Sequence, residues 1–114
     1  MNYDKAYALA REIKASEEYR AYAAQQAKVA SDPDARRMLE DFRQRQAGVE
    51  LRRLKGESIS QEELEQLQRL FETINLHGEI RQLFACEQRL IQLMQDIQRI
   101  IAEPFAELLG SPKS

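Results

Sequence analysis

The segment GEIRQLFACEQRLIQLMQDIQRII, from Gly78 to Ile101, commits more apolar surface in one continuous pattern than any other part of the chain. Leu83, Cys86, Leu90, Leu93, Ile97 and Ile100 follow the alternating three- and four-residue spacing of a helical seam. Ile80, Phe84, Ile91, Met94 and Ile101 form a second row beside it, interrupted by Glu87 and Gln98. At 100° per residue the two rows cover roughly 200° of a helix, with Arg81, Gln88, Arg89, Gln92, Gln95, Asp96 and Arg99 opposite. One neighbouring helix cannot cover so wide a stripe. The pattern predicts a long helix that faces its own core with one row and something else, a second copy of the chain or another subunit, with part of the other.

With 114 residues, 32% of them charged and 43% apolar, only four Gly and no Trp, the chain reads as one helix-rich domain, 1–110, followed by a flexible tail at 111–114. No apolar run is long enough to span a bilayer, because Gln92, Gln95 and Gln98 break up the longest. The N-terminus, MNYDKAYALAREIK, carries charges where a signal peptide needs an apolar stretch, so a cytoplasmic location is the default expectation. The one cysteine, Cys86, cannot form an internal disulfide, and its place in the seam predicts a small buried side chain.

Local signals divide the rest of the chain. Tyr3, Tyr7, Ala10 and Ile13 predict a short first helix from Tyr3 to Lys14. Ser16 is placed as the N-cap of a second helix, from Glu17 to about Ala30, with Glu17 and Glu18 in its first turn. Tyr19, Tyr22, Ala23, Ala27 and Ala30 lie near one side of it, a surface small enough to admit another helix closely. Asp32-Pro33 restarts the chain as a third helix, which Gly56 ends. In that helix Ala35, Met38, Leu39, Phe42, Gln46 and Val49 share one face, whereas Ala47, Leu51 and Leu54 fall on the other, so either the helix bends near Gly48 or its far end meets a different partner.

After the turn GESIS, Ser60 with Glu63 forms a capping-box pattern, and Ile59 with Leu64 a hydrophobic staple, at the start of a fourth helix. Asn75 to Gly78 breaks it from the long last helix, and Pro104 then either kinks or ends that helix before FAELL adds a further turn and Gly110 caps it. The third helix is basic and the fourth acidic, which favours a helical hairpin across GESIS. The predicted architecture is all-α: about five helices in a hairpin-based bundle with one long C-terminal helix, assembled as a dimer.

The residues offer little catalytic chemistry. One His and one Cys make a poor metal set, and the serines sit at caps, turns or the tail with no glycine-framed nucleophile among them. Phosphate-binding glycine loops are absent, so no cofactor is expected. Glu87 is the one carboxylate on an apolar face, and it is expected to meet an Arg or Tyr of another helix. Arg36, Arg37, Arg43, Arg45, Arg52, Arg53 and Lys55 are scattered around the third helix among Glu40, Asp41 and Glu50, which makes RNA binding the less favoured alternative. The polar face of the long helix is rich in glutamine rather than lysine or arginine, so no membrane association is expected. Leu83, Leu90, Leu93, Ile97, Ile100, Leu51 and Leu54 are the expected interface with a second copy or another protein subunit.

Five stretches carry a family resemblance: Ser16-Glu17-Glu18-Tyr19, RRMLEDFRQRQ from Arg36 to Gln46, GESISQEEL, CEQRLIQLMQDIQRII and EPFAELLG. In this order and spacing, over nearly the whole chain, they resemble the bacterial YlbF/YmcA/YheA family of small helical proteins, closest to the YheA-like subgroup. The resemblance implies an all-α fold, helical dimers or larger assemblies, and a non-enzymatic role. It further implies kinship with cytoplasmic regulatory partners in complexes that influence RNA processing, competence, sporulation and biofilm formation. The iron–sulfur binding linked to some relatives depends on additional cysteines that this chain lacks.

Overall fold

The computed structural model describes residues 1–110, so the expectation of a flexible tail at 111–114 lies outside the described residues. Five helices follow one another: α1 (Asp4–Ala15), α2 (Glu17–Ser31), α3 (Pro33–Leu54), α4 (Gln61–Ile74) and α5 (Gly78–Leu109). Of the described residues 86% are helical, and the all-α class is as the sequence indicates.

Each junction is set by the chemistry of one or two side chains. Ser16 takes an extended conformation, ψ 155°, which ends α1. Its hydroxyl donates to the Ile13 carbonyl at 2.6 Å and accepts from the Tyr19 amide at 3.2 Å, so a single side chain closes one helix and caps the next. Asp32 caps α3 by accepting from the amides of Asp34 and Ala35, with Pro33 at the first helical position. At the other end of α3, Gly56 adopts φ +79°. The amide of Glu57 then reaches the Arg52 carbonyl, and that of Gly56 reaches Arg53, satisfying two carbonyls that the helix leaves open. Ser60 caps α4 through the Glu63 amide.

The described residues group into two compact units, one comprising 1–22 and 85–110, the other 23–84. In the second unit α3 and α4 pack as the hairpin expected across GESIS. Its core holds Val29, Ala35, Phe42, Ile74, Ile80 and Leu83. Phe42, Phe71 and Phe84 meet as a trio with ring centroids 5.6 to 6.3 Å apart, inside the range where aromatic pairs attract. The face of α2 that enters this core is Gln25 and Val29, not the alanine face expected; Ala23, Ala27 and Ala30 are exposed. The reason is that Gln25 can be buried without loss. Its amide nitrogen donates to both the backbone carbonyl and the carboxylate of Glu79, each at 2.9 Å.

The first unit is built from α1, the start of α2 and most of α5, and its burial is of another kind. Among its described residues only Cys86 is buried, at 4% exposure. Helix α5 runs unbroken through Pro104, which therefore does not end it. The proline nitrogen has no proton to give the carbonyl of Ile100, so one helical hydrogen bond is missing there. Gly110, at φ +65°, follows the last helical residue.

Candidate interaction surfaces

The residues expected at an interface fall into three groups. Leu83 is withdrawn from it: at 1% exposure it belongs to the core of the second unit, because the N-terminal part of α5 packs with α2, α3 and α4 sequence in that unit and spends its apolar row there. Leu90, Leu93 and Ile97 are half-buried. Ile100, Leu51 and Leu54 are exposed, Leu54 at 78%.

Burial thus declines steadily along α5, from Ile80 and Leu83 in the core to Ile100, Ile101, Phe105, Leu108 and Leu109 in solvent. At 100° per residue, Ile101, Phe105, Leu108 and Leu109 lie within an arc of about 100°, and Ile91 and Met94 continue it toward the N-terminus. Leu108 is 82% exposed. Tyr3, at the cap of α1, and Tyr7, one turn on, are exposed in the same unit. Isolated exposed apolar residues need no explanation, whereas a continuous set of this size is unusual on a monomer. The seam that ends at Ile100 lies at the margin of this surface, and FAELL extends the surface as well as the helix.

A groove of about 460 Å³ lies in the same unit between α2 and α5. Ala21, Cys86 and Leu93 contribute its apolar lining, and Glu17, Glu18, Arg89, Gln92 and Asp96 its polar one. Asp96 accepts from Gln92 at 3.0 Å and pairs with Arg99 at 3.2 Å. Glu87 is half-buried and receives the Tyr22 hydroxyl at 3.5 Å, a long contact with the kind of partner expected for it.

In the second unit Arg37, Arg45 and Arg52 of α3 are drawn into ion pairs. Arg45 meets Asp41 and Arg37 meets Asp34 along the helix, and Arg52 reaches Glu63 of α4 with both terminal nitrogens at 3.1 Å. That pairing, ahead of the Ser60 amide, holds the Glu63 carboxyl below its ordinary pKa, with partial burial opposing. The Asp32 carboxyl is likewise lowered, first by the Ala35 amide and further by the Asp34 amide and His77, against the same opposition. His77 Nε2 stands 3.4 Å from Asp32, tying the α4–α5 junction to the α2–α3 junction. Neither this pair nor the Gln25–Glu79 contact was legible in the sequence, because each joins residues more than forty positions apart.

Among the described residues no group of three or more His, Cys, Asp or Glu is placed to hold a metal ion. No helix there is long and apolar enough to cross a membrane. The arrangement is that of an all-α protein whose prominent surfaces are apolar helix faces. Comparison with known proteins places it more closely. The chain belongs to the family described as control of competence regulator ComK, YlbF/YmcA, whose model matches residues 2–106. It is 38% identical over 112 residues to a UPF0342 protein of Bacillus licheniformis, covering 98% of this chain and 96% of that one. A UPF0342 protein of Symbiobacterium thermophilum is 38% identical over 101 residues, 89% and 90% of the two chains. Among solved structures, a protein of unknown function (DUF964) from Bacillus stearothermophilus superposes with a TM-score of 0.82 at 27% identity, covering 96% of this chain and all of that one. These matches bear out the family resemblance read from the sequence.

Proposed function

We propose that the protein is a self-associating helical subunit with a regulatory or scaffolding role, acting in the cytoplasm by binding rather than by catalysis. The observation that carries this reading is the burial of the first unit. Helix α1 and the last part of α5 leave Tyr3, Tyr7, Ile100, Ile101, Phe105, Leu108 and Leu109 in solvent, and Cys86 is the one buried residue among the described residues of that unit. Each such side chain gains about 1.5–3 kcal/mol when it leaves water completely, so a partner that covers several of them binds without any special chemistry. A second copy is the partner always present at equal concentration, and a further protein subunit is the one through which regulation acts. The regulatory element of the reading is supported by the family's link to control of a competence regulator.

Affinity purification of the tagged chain from its native cell, with identification of what is retained, tests the regulatory role. Recovery of a second protein at constant stoichiometry supports it. Salt-sensitive retention of RNA that is lost when Arg36, Arg37, Arg52 and Arg53 are changed to Glu favours nucleic-acid binding through α3 instead.

A further inference from the structure

We propose that the C-terminal tip of α3, Leu51 to Lys55, seats in the α2–α5 groove of a second copy. The proposal rests on the self-association reading above and assigns surfaces to it.

The tip has the sequence Leu-Arg-Arg-Leu-Lys. Leu51 and Leu54, one turn apart, are exposed although their own unit has a formed core, so their exposure is not a by-product of poor packing. Arg52 is engaged by Glu63. Arg53 and Lys55 are exposed and have no acidic partner among the described residues. The tip is thus a small apolar knob with two uncommitted cations.

The groove supplies the complement. Ala21, Cys86 and Leu93 are the apolar part of its lining, within about 460 Å³. Of its three carboxylates, Asp96 is occupied by Arg99 and Gln92, whereas Glu17 and Glu18 have no ion-pair partner among the described residues. Arg89 is its one cation. Two uncommitted carboxylates therefore line the groove beside its apolar residues, and two uncommitted cations accompany a pair of exposed leucines on the same polypeptide. Charge complementarity of this kind selects a partner and its register. When two chains exchange tips reciprocally, each groove receives the other's tip and the pair closes with twofold symmetry.

Cross-linking tests the contact directly. In a Cys86→Ser background, Leu54→Cys combined with Gln92→Cys at the groove should give a disulfide-linked species on mild oxidation, and neither single cysteine should match its yield. Charge reversal provides a second arm. Either Glu17→Lys with Glu18→Lys, or Arg53→Glu with Lys55→Glu, should lower the cross-linking yield about tenfold by placing like charges together, and all four changes in one chain should restore it. Circular dichroism checks that helix content is retained. A chain that self-associates yet gives no cross-link and no charge-exchange rescue overturns the tip-in-groove contact and leaves the self-association standing. A chain that is monomeric at every concentration overturns both.

Discussion

Arg52 grips Glu63 through two parallel hydrogen bonds, Nη1 to Oε1 and Nη2 to Oε2, each 3.1 Å, and so joins the last turn of α3 to the first turn of α4. The geometry is the bidentate fork that suits a guanidinium to a carboxylate. The same Glu63 amide is bound by the Ser60 side chain, so one turn of chain holds the hairpin closed and starts the next helix.

A pH dependence follows. The folded-state pKa values of Glu63 and Asp32 are both depressed, so each carboxylate contributes stability above its ordinary pKa, 4.5 and 3.8 respectively, and loses it as the pH falls through the folded value. Thermal stability should fall as the pH is lowered from 5 toward 3. In Glu63→Gln and Asp32→Asn the melting temperature should be lower than wild type at pH 7, and the gap should close at pH 3. Melting curves across that range check this, and an undiminished gap at pH 3 would show that charge is not the cause.

Gln25 tests whether the buried amide matters. Gln25→Ala removes both bonds to Glu79 and leaves a void in the second unit, and should destabilise the chain by about 2–4 kcal/mol. Denaturant titration measures the difference. A loss below 0.5 kcal/mol, a floor set by the least a made hydrogen bond contributes, would mean that water replaces the amide without cost.

Gly56 should tolerate alanine poorly for a conformational reason alone. Nothing lies within 4 Å of where a Cβ would sit, so the penalty is that of the left-handed backbone at φ +79°. Gly56→Ala is expected to cost about 1 kcal/mol. Equilibrium unfolding of the variant decides, and a stabilised variant would mean that the turn relaxes.

Local chemistry was the legible part of this fold. Asp32-Pro33, Ser60 with Glu63, and Gly56 each act on atoms within a few residues of themselves, and so the breaks between helices could be read directly. The opposite placement of Leu51 and Leu54 on α3 was legible for the same reason, since helical periodicity alone sets it. What periodicity cannot supply is which stretch of a uniform apolar stripe finds a neighbour. Leu83 and Ile100 sit in the same seam, yet one is in the core of the second unit and the other, in the first unit, is 56% exposed. Gln25 was missed because burial of an amide depends on an acceptor 54 residues away.

That contrast predicts how the two ends of α5 respond to mutation. Leu83→Ala should destabilise the chain by about 2–5 kcal/mol, as expected for a large-to-small change in a core. Ile101→Asp with Leu108→Asp places charge at positions already in solvent, so an isolated chain should keep its helix content. Its effect should appear in the assembly, where the same charges lose their water without partners. Circular dichroism and hydrodynamic size, measured on the same samples, separate these outcomes. Unfolding of the double variant would place this face in an intramolecular core instead.

If the first unit completes its core with another chain, as proposed, the protein is larger than one chain in solution. Light scattering after size exclusion, over a micromolar concentration series, measures this most directly. The mass should be that of at least two 13.3 kDa chains, falling toward one in the Ile101→Asp, Leu108→Asp variant. A wild-type chain that elutes as a single 13.3 kDa species throughout the series would contradict it.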